Sequence, residues 1–395
     1  MNVPKLRFKN AEGADFPLWT MSKLGNEVQF SKGGKLGKSD LQKEGSHQCL
    51  LYGELYTSYG SIASKIFSRT DTDSDTTSQK YDVVMPTSGE TAEDIATATC
   101  IPFDGILYGG DLIILRSQTL YGPFLSYQIN SSLKRKISRV AQGKSVVHIG
   151  AEKIKPISFS FPCLEEQQKI ASFFSTLDQK IELNERKLEA LEELKKGLMQ
   201  KIFNREIRFK QEDGSDFPKW NNKRLGEVAC LNNGRAYKQE ELLNEGKYIV
   251  LRVGNFFTNE KFYYSNMELE SCKYAHKGDL LYCWSASFGP KIWGGEKVIY
   301  HYHIWKIDPI NIDKNYLYYY LQRDVENLEQ EMNGGTMMHL TKSNMELRSI
   351  EIPVIEEQTK IASLFIHFDK KIELVLAKIN SLKNLKQGFM QQMFV

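Results

Sequence analysis

The sequence predicts an α+β protein: two mixed α/β blocks carried on two long helices, each helix the natural partner of the other. Three observations carry this. A helical run from 164 to 203 returns from 355 to 394 at an offset of 191, and 21 of the 39 positions from 165 onward are identical. A leader, Arg7-Phe8-Lys9 through Asp15-Phe16-Pro17 and Trp19 to Leu24-Gly25, returns as Arg208-Phe209-Lys210 through Asp216-Phe217-Pro218 and Trp220 to Leu225-Gly226, at an offset of 201. Residues 29–156 and 229–352, between leader and helix, share little sequence. A repeat this strong decides the organisation before any other reading.

Each helix declares its ends and its buried seam. Pro162 and Pro353 precede the runs, Glu165-Glu166 and Glu356-Glu357 occupy the first turns, and lysines gather near the ends, an order that complements the helix dipole. Alternating steps of four and three pass through Ile170, Phe174, Leu177, Ile181, Asn184, Leu188, Leu191, Lys195, Leu198 and Ile202. The second copy reads Ile361, Phe365, Phe368, Ile372, Val375, Ile379, Leu382, Lys386, Phe389 and Met393. Spacing of this kind is a coiled-coil seam rather than the broad face of a globular helix. Gly197 and Gly388 recur inside the helices, where glycine is costly, and this predicts a close approach at those points.

The blocks read as strand-rich. Apolar, β-favouring runs cover 48–55, 81–85 and 105–116 in the first, and 248–253, 279–284 and 297–307 in the second. Helical patches are expected over 120–140 and 316–331, and short closing strands over 157–161 and 349–352. The domain reading is therefore 1–156 (leader and first block), 157–204 (central helical region), 205–352 (leader and second block) and 353–395 (distal helical region).

Composition excludes little but directs the search. Of 395 residues 41% are hydrophobic and 26% charged, ordinary for a globular chain of two or more domains, and the net charge is +3. Six cysteines at 49, 100, 163, 230, 272 and 283 form no C-x-x-C pair and read as reduced core thiols in a cytoplasmic protein. No signal peptide or membrane-length apolar run is expected.

Two divergent blocks on a duplicated frame suggest one job done on two different targets, and several features allow duplex DNA as that target. Basic, glycine-containing loops follow each leader, and Thr87-Ser88-Gly89-Glu90 and 285–289 follow Asp-led apolar strands as candidate groove-facing tips. The residues singled out for DNA contact are Lys35, Lys38, Ser88 and Lys144 in the first block. In the second they are Arg235, Tyr237, Lys238, Arg252, Asn255, Ser287 and Lys342, with Arg235, Arg252 and Asn255 best suited to base edges.

The helix starts Pro162–Ala171 and Pro353–Ala362, the ends Lys195-Lys196-Gly197-Leu198-Met199-Gln200 and Lys386-Gln387-Gly388-Phe389-Met390-Gln391, and the Asp-Phe-Pro-x-Trp leaders resemble those of a known family. The chain resembles, end to end, the specificity (S) subunit of type I restriction-modification systems. The resemblance implies that the blocks are target recognition domains, each reading half of a bipartite DNA site. It implies helices that pack antiparallel as a spacer and dock two methyltransferase (M) subunits, with restriction/translocase (R) subunits joining through the complex. It further implies no chemistry and no cofactor on this chain, with S-adenosylmethionine, ATP and Mg on the partner subunits.

Catalytic readings fare worse. Gly33-Gly34-Lys35-Leu36-Gly37-Lys38-Ser39 has Lys32 where a P-loop needs its first glycine, and no G-x-G-x-x-G fingerprint is present. His301 and His303 could share one strand face as metal ligands but have no third ligand nearby in sequence, and a structural role is expected. The competing class is a coiled-coil scaffold whose blocks bind proteins or small ligands.

Overall fold

The computed structural model describes residues 3–143, 147–257, 261–285, 287–333 and 340–395, with the side chains of all of these except 326–333. The chain forms two compact units, Met1–Arg186 with Leu376–Val395, and Lys187–Val375. Each unit holds one leader, one block and a segment of both long helices, Leu164–Phe203 and Ile355–Met393.

In the first unit the two helix segments run antiparallel, as their partners show. Phe173 meets Phe389 at 5.1 Å between ring centroids, Asp178 pairs with Lys386 at 2.5 Å, and Glu185 pairs with Lys383 at 2.7 Å. Ile170, Phe174, Leu177, Ile181 and Ile379 are buried, while Leu382 and Phe389 are half-buried. The second unit repeats the arrangement: Lys195 pairs with Asp369 at 2.6 Å, and Phe203 stacks on Phe365 at 6.2 Å. There Ile361, Phe365, Phe368 and Val375 are buried, and Leu188, Leu191, Leu198 and Ile372 half-buried. The lysines within the seam are thus answered by aspartates of the other helix, which is how a charged residue is tolerated at such a position.

Gly197 and Gly388 correct the expectation of a close approach. Among the described residues, a Cβ built on either would meet nothing within 4 Å, so no packing contact there demands glycine.

Both blocks fold to the same plan despite their unlike sequences. The first block has a four-stranded sheet in the order Gln29–Lys32, Leu112–Arg116, Asp82–Pro86, Thr99–Ile101. The second has Ala229–Asn233, Ile304–Pro309, Leu280–Ser285, Ser287–Ile292 in the corresponding places. A second sheet lies beside each, three-stranded in the first block and four-stranded in the second, built around one parallel pair: Cys49 opposite Leu107 in the first block, Val250 opposite Ile299 in the second. The inner strands are buried on both faces, which is why they read as continuous apolar runs.

The runs 105–116 and 297–307 each prove to be two strands belonging to different sheets, Leu107–Tyr108 then Leu112–Arg116, and Val298–Tyr300 then Ile304–Pro309. The chain crosses from sheet to sheet at 109–111 and 301–303. In the first block the break is marked by Asp111, whose φ of 57° no strand adopts. The run 48–55 likewise stops as a strand at Leu50 and resumes as the helix Glu54–Thr57.

The expected helical patches form, as Gly122–Ser138 with a π stretch at Ile129–Leu133, and as Lys314–Asn333. Leader strands Thr20–Lys23 and Asn221–Arg224 pair antiparallel with the closing strands Ser158–Phe161 and Ser349–Ile352. All six cysteines are free; Cys49, Cys100 and Cys283 are buried, whereas Cys163 and Cys230 are exposed and are not core thiols.

Candidate nucleic-acid interface

Each block is fastened to its helix by the same set of side chains. Arg7 makes a two-pronged pair with the buried Glu166 and donates to the Pro17 carbonyl at 2.7 Å. Arg208 does the same with Glu357 and with the Pro218 carbonyl at 2.8 Å. The next residue of each helix completes the joint: Gln167 accepts from the Tyr121 amide and donates to the Pro162 carbonyl, and Gln358 accepts from the Asp313 amide and donates to the Pro353 carbonyl. A second fastening lies about three turns along. Tyr127 donates to Asp178 at 2.7 Å and Tyr319 to Asp369 at 2.6 Å, the same aspartates that hold Lys386 and Lys195. The second glutamate and the glutamine of each repeated Glu-Glu-Gln, together with the aspartate, are therefore attachment points whose hydrogen bonds are made inside the protein, whereas the first glutamates, Glu165 and Glu356, are exposed.

The same backbone connections build the crossover corner of both blocks. The Gly109 amide donates to the Leu50 carbonyl, as the His301 amide does to that of Leu251, both at 2.9 Å. The Thr87 amide donates to Asp111 at 2.8 Å, and the Trp284 amide to His303 at 3.1 Å. The Gly33 amide reaches Leu112, and the Gly234 amide reaches Ile304. A Cβ on Gly33 would lie 2.1 Å from the Gly109 carbonyl oxygen, and one on Gly234 2.3 Å from that of His301. These two glycines let one strand cross the corner; they do not cradle a phosphate.

On this common backbone the side chains differ sharply. The first corner carries Leu51, Thr87, Gly109, Gly110 and the exposed Asp111, with the Thr87 hydroxyl donating to the Asp111 carboxylate at 3.3 Å. The second carries Arg252, Trp284, His301, Tyr302 and His303. Tyr302 is exposed, and its ring lies 6.0 Å from that of Trp284 and 3.9 Å from that of His303. Burial, with His303 and Arg252 adding to it, holds the His301 imidazole down at about 4, and burial with Arg252 lowers His303 as well. Both are neutral at physiological pH.

The residues singled out by sequence are scattered over these blocks. Lys35, Lys38 and Lys238 are exposed. Ser88 is no loop tip: it lies in a short strand opposite His148. Lys144 lies outside the described residues. Arg235 is held by Glu241 through both nitrogens, at 2.9 and 2.7 Å, and stacks over Tyr237 at 5.1 Å. That pair draws the Glu241 carboxyl down to about 2, and it occupies the fork a guanine edge would need. Tyr237 packs against His301 with its hydroxyl buried. The Asn255 amide is committed to the chain itself, accepting from the Arg252 amide and donating to the Lys261 carbonyl. Ser287 sits where the hairpin reverses, opposite Ser285, and Lys342 pairs with Glu346 at 3.5 Å. Arg252 stands apart: it is exposed, lies over the Tyr263 ring at 5.4 Å, and among the described residues has no carboxylate partner.

Comparison with known proteins fits this geometry. The model of the type I restriction modification DNA specificity domain matches twice, over residues 18–193 and 218–384. This chain belongs to that family. The type I restriction enzyme MjaVIII specificity subunit of Methanocaldococcus jannaschii is 24% identical, covering 97% of this chain and 94% of its own. The S subunit of a type I system from M. genitalium superposes with a TM-score of 0.66 at 18% identity, covering 100% of this chain and 99% of that one. A chain from a study of complex assembly and conformational transition in the type I system gives 0.58 at 17% identity, covering 96% and 98%. The blocks are accordingly the two target recognition domains of a specificity subunit.

Sequence reasoning missed the fastening residues Arg7, Arg208, Tyr127 and Tyr319 and the corner residues Trp284 and Tyr302, and it set His303 aside as structural. For the arginines a signal existed: leader Arg and helix Glu are both duplicated, at different offsets, as two halves of one joint would be. Among the described residues no cluster of three or more His, Cys, Asp or Glu could hold a metal, and no helix is long and apolar enough to cross a membrane.

Proposed function

We propose that each target recognition domain reads one half of a bipartite duplex DNA site, and that the duplicated helices dock two methyltransferase subunits. The observation that carries this is the pairing of one backbone with two surface chemistries: the same joints and crossover hydrogen bonds present Thr87 and Asp111 in one domain, and Arg252, Tyr302 and His303 in the other. A frame kept constant while its exposed residues diverge suits two reading heads for different sequences. In this reading the chain performs no chemistry. S-adenosylmethionine belongs to the methyltransferase subunits, ATP and Mg to the restriction subunits that join through them, and the complex works in the cytoplasm.

The test is a domain exchange. Residues 229–352 are replaced by those of another family member, the methyltransferase complex is assembled, and preferred sites are selected from a random DNA pool. One half of the selected site should change and the other persist; change in both halves, or in neither, would refute the division of labour. DNA affinity should also fall steeply with salt, as phosphate contacts require. The mass of the saturated complex should correspond to two methyltransferase subunits per chain.

A further inference from the structure

We propose that the crossover corner is the base-reading surface of the second target recognition domain, with Arg252, Tyr302 and His303 as its specificity-determining residues. This rests on the DNA-reading assignment above and carries it to particular side chains.

Three independent features converge there. The first is rigidity. Within 301–303, the Tyr302 amide donates to the Arg235 carbonyl at 3.0 Å, and the Trp284 indole donates to the Tyr302 carbonyl at 3.0 Å. The Trp284 amide donates to the His303 carbonyl, and the Ile304 amide to that of His301. A turn so tied down presents its side chains at fixed positions, which is what base discrimination needs.

The second is the contrast with the other domain. Where the second corner has Arg252, Tyr302 and His303, the first has Leu51, Gly110 and Asp111 on matching hydrogen bonds. The shared hydrogen bonds dictate none of the exposed side chains of the second corner, whereas in the first the φ of 57° at Asp111 is itself a conformation that aspartate tolerates. The second corner offers a guanidinium fork and an aromatic ring; the first offers a carboxylate. Those are complementary to different base edges: Arg pairs with guanine O6 and N7, whereas Asp accepts from an exocyclic amino group such as that of cytosine.

The third is the state of the charges. Arg252 lies against Tyr263, which pre-orients the guanidinium without neutralising it, whereas Arg235 is spent on Glu241. The neutral imidazole of His303 beside it can donate or accept, which suits a base edge better than a phosphate. The corner therefore favours a guanine-containing half-site read in the major groove.

The experiment uses the full chain assembled with its methyltransferase subunits and site selection from random duplex DNA. Arg252→Ala should reduce discrimination at one G·C position of the second half-site by about tenfold or more, with non-specific affinity much less affected. Tyr302→Ala and His303→Gln should alter preference at neighbouring positions of that same half, and the first half should stay as it was. Arg252→Lys keeps the charge and loses the fork, and should also lose discrimination. If all four variants melt like the parent and keep both half-site preferences while exchange of residues 229–352 moves one, the corner assignment is wrong and the domain reading stands. If the exchange itself moves neither half, both fall together.

Discussion

Arg7 grips Glu166 with both edges of its guanidinium, Nε to Oε1 at 3.0 Å and Nη2 to Oε2 at 2.6 Å, across 159 residues of chain. Glu166 is fully buried, so removing the arginine strands a carboxylate away from water. Arg7→Ala should therefore cost about 3 kcal/mol. The twin joint has a reserve: the Trp220 indole also donates to Glu357 at 3.0 Å, whereas the buried Trp19 indole nitrogen has no hydrogen-bond partner among the described residues. Arg208→Ala should thus be milder, by roughly 1 kcal/mol. Urea unfolding of the two variants side by side measures the difference; equal losses would mean that the indole contributes nothing.

The joints explain what could and could not be read from the chain alone. Helices, leaders and seam were legible because a 3.5-residue period and a duplication are both properties of sequence. Which strands share a sheet was not, because Val298–Tyr300 and Ile304–Pro309 are apolar alike, and the intervening His-Tyr-His holds no glycine, proline, asparagine or aspartate to mark the break. The site was harder still. Arg235 and Arg252 look equivalent in sequence, and the difference is Glu241, which the fold brings against one arginine and not the other. Seam lysines were visible as exceptions, but their aspartates lie on the other helix, 174 residues from Lys195 in one case.

Gly197 and Gly388 provide a test in the stabilising direction. Both lie inside long helices, and among the described residues a Cβ at either meets nothing within 4 Å. Gly197→Ala and Gly388→Ala should each raise stability by about 1 kcal/mol through helix propensity alone. Gly234→Ala should do the opposite, since its Cβ would stand 2.3 Å from the His301 carbonyl oxygen. Thermal midpoints of the three variants check the prediction. A loss at 197 or 388 would reveal a packing requirement there.

Acid should weaken the second domain in two separable steps. The folded His301 titrates at about 4 against an ordinary 6.5, so the unfolded chain takes up its proton first as pH falls. The stabilisation from keeping this imidazole neutral is complete above 6.5 and is lost progressively towards 4; His303 is lowered in the same sense. Glu241 is also depressed, from 4.5 to about 2, so its contribution persists to 4.5 and is lost only below it. Between pH 6.5 and 4.5 the histidines should dominate the slope. His301→Gln should flatten the melting midpoint over that interval and leave the steeper loss below 4.5 in place; an unchanged slope would show that His301 does not titrate as its surroundings dictate.

The chain ends repeat, without a covalent bond, the connection made in the middle. The Leu6 amide donates to the Gln392 carbonyl at 3.1 Å, and the Ile207 amide donates to the Lys201 carbonyl at 3.3 Å, at the same point of the duplicated frame. Near the first of these contacts Phe394 is buried, its ring 5.6 Å from that of Phe174 and 5.6 Å from that of Phe124, just as Phe203 packs on Tyr316 at 5.7 Å near the second. Joining Val395 directly to Met1 would place eight residues between Gln392 and Leu6, against five between Lys201 and Ile207, so no added linker is needed. Opening the chain after Asn204, whose place in the repeat matches that of Val395, then gives a permutant with every strand pairing retained. It should fold, melt within a few degrees of the parent and select the same DNA site, because the joints at Arg7 and Arg208 hold each domain on its helix without help from chain order. A permutant that aggregates, or that folds but selects a different site, would mean that the covalent link from Phe203 to the second leader does more than its non-covalent twin.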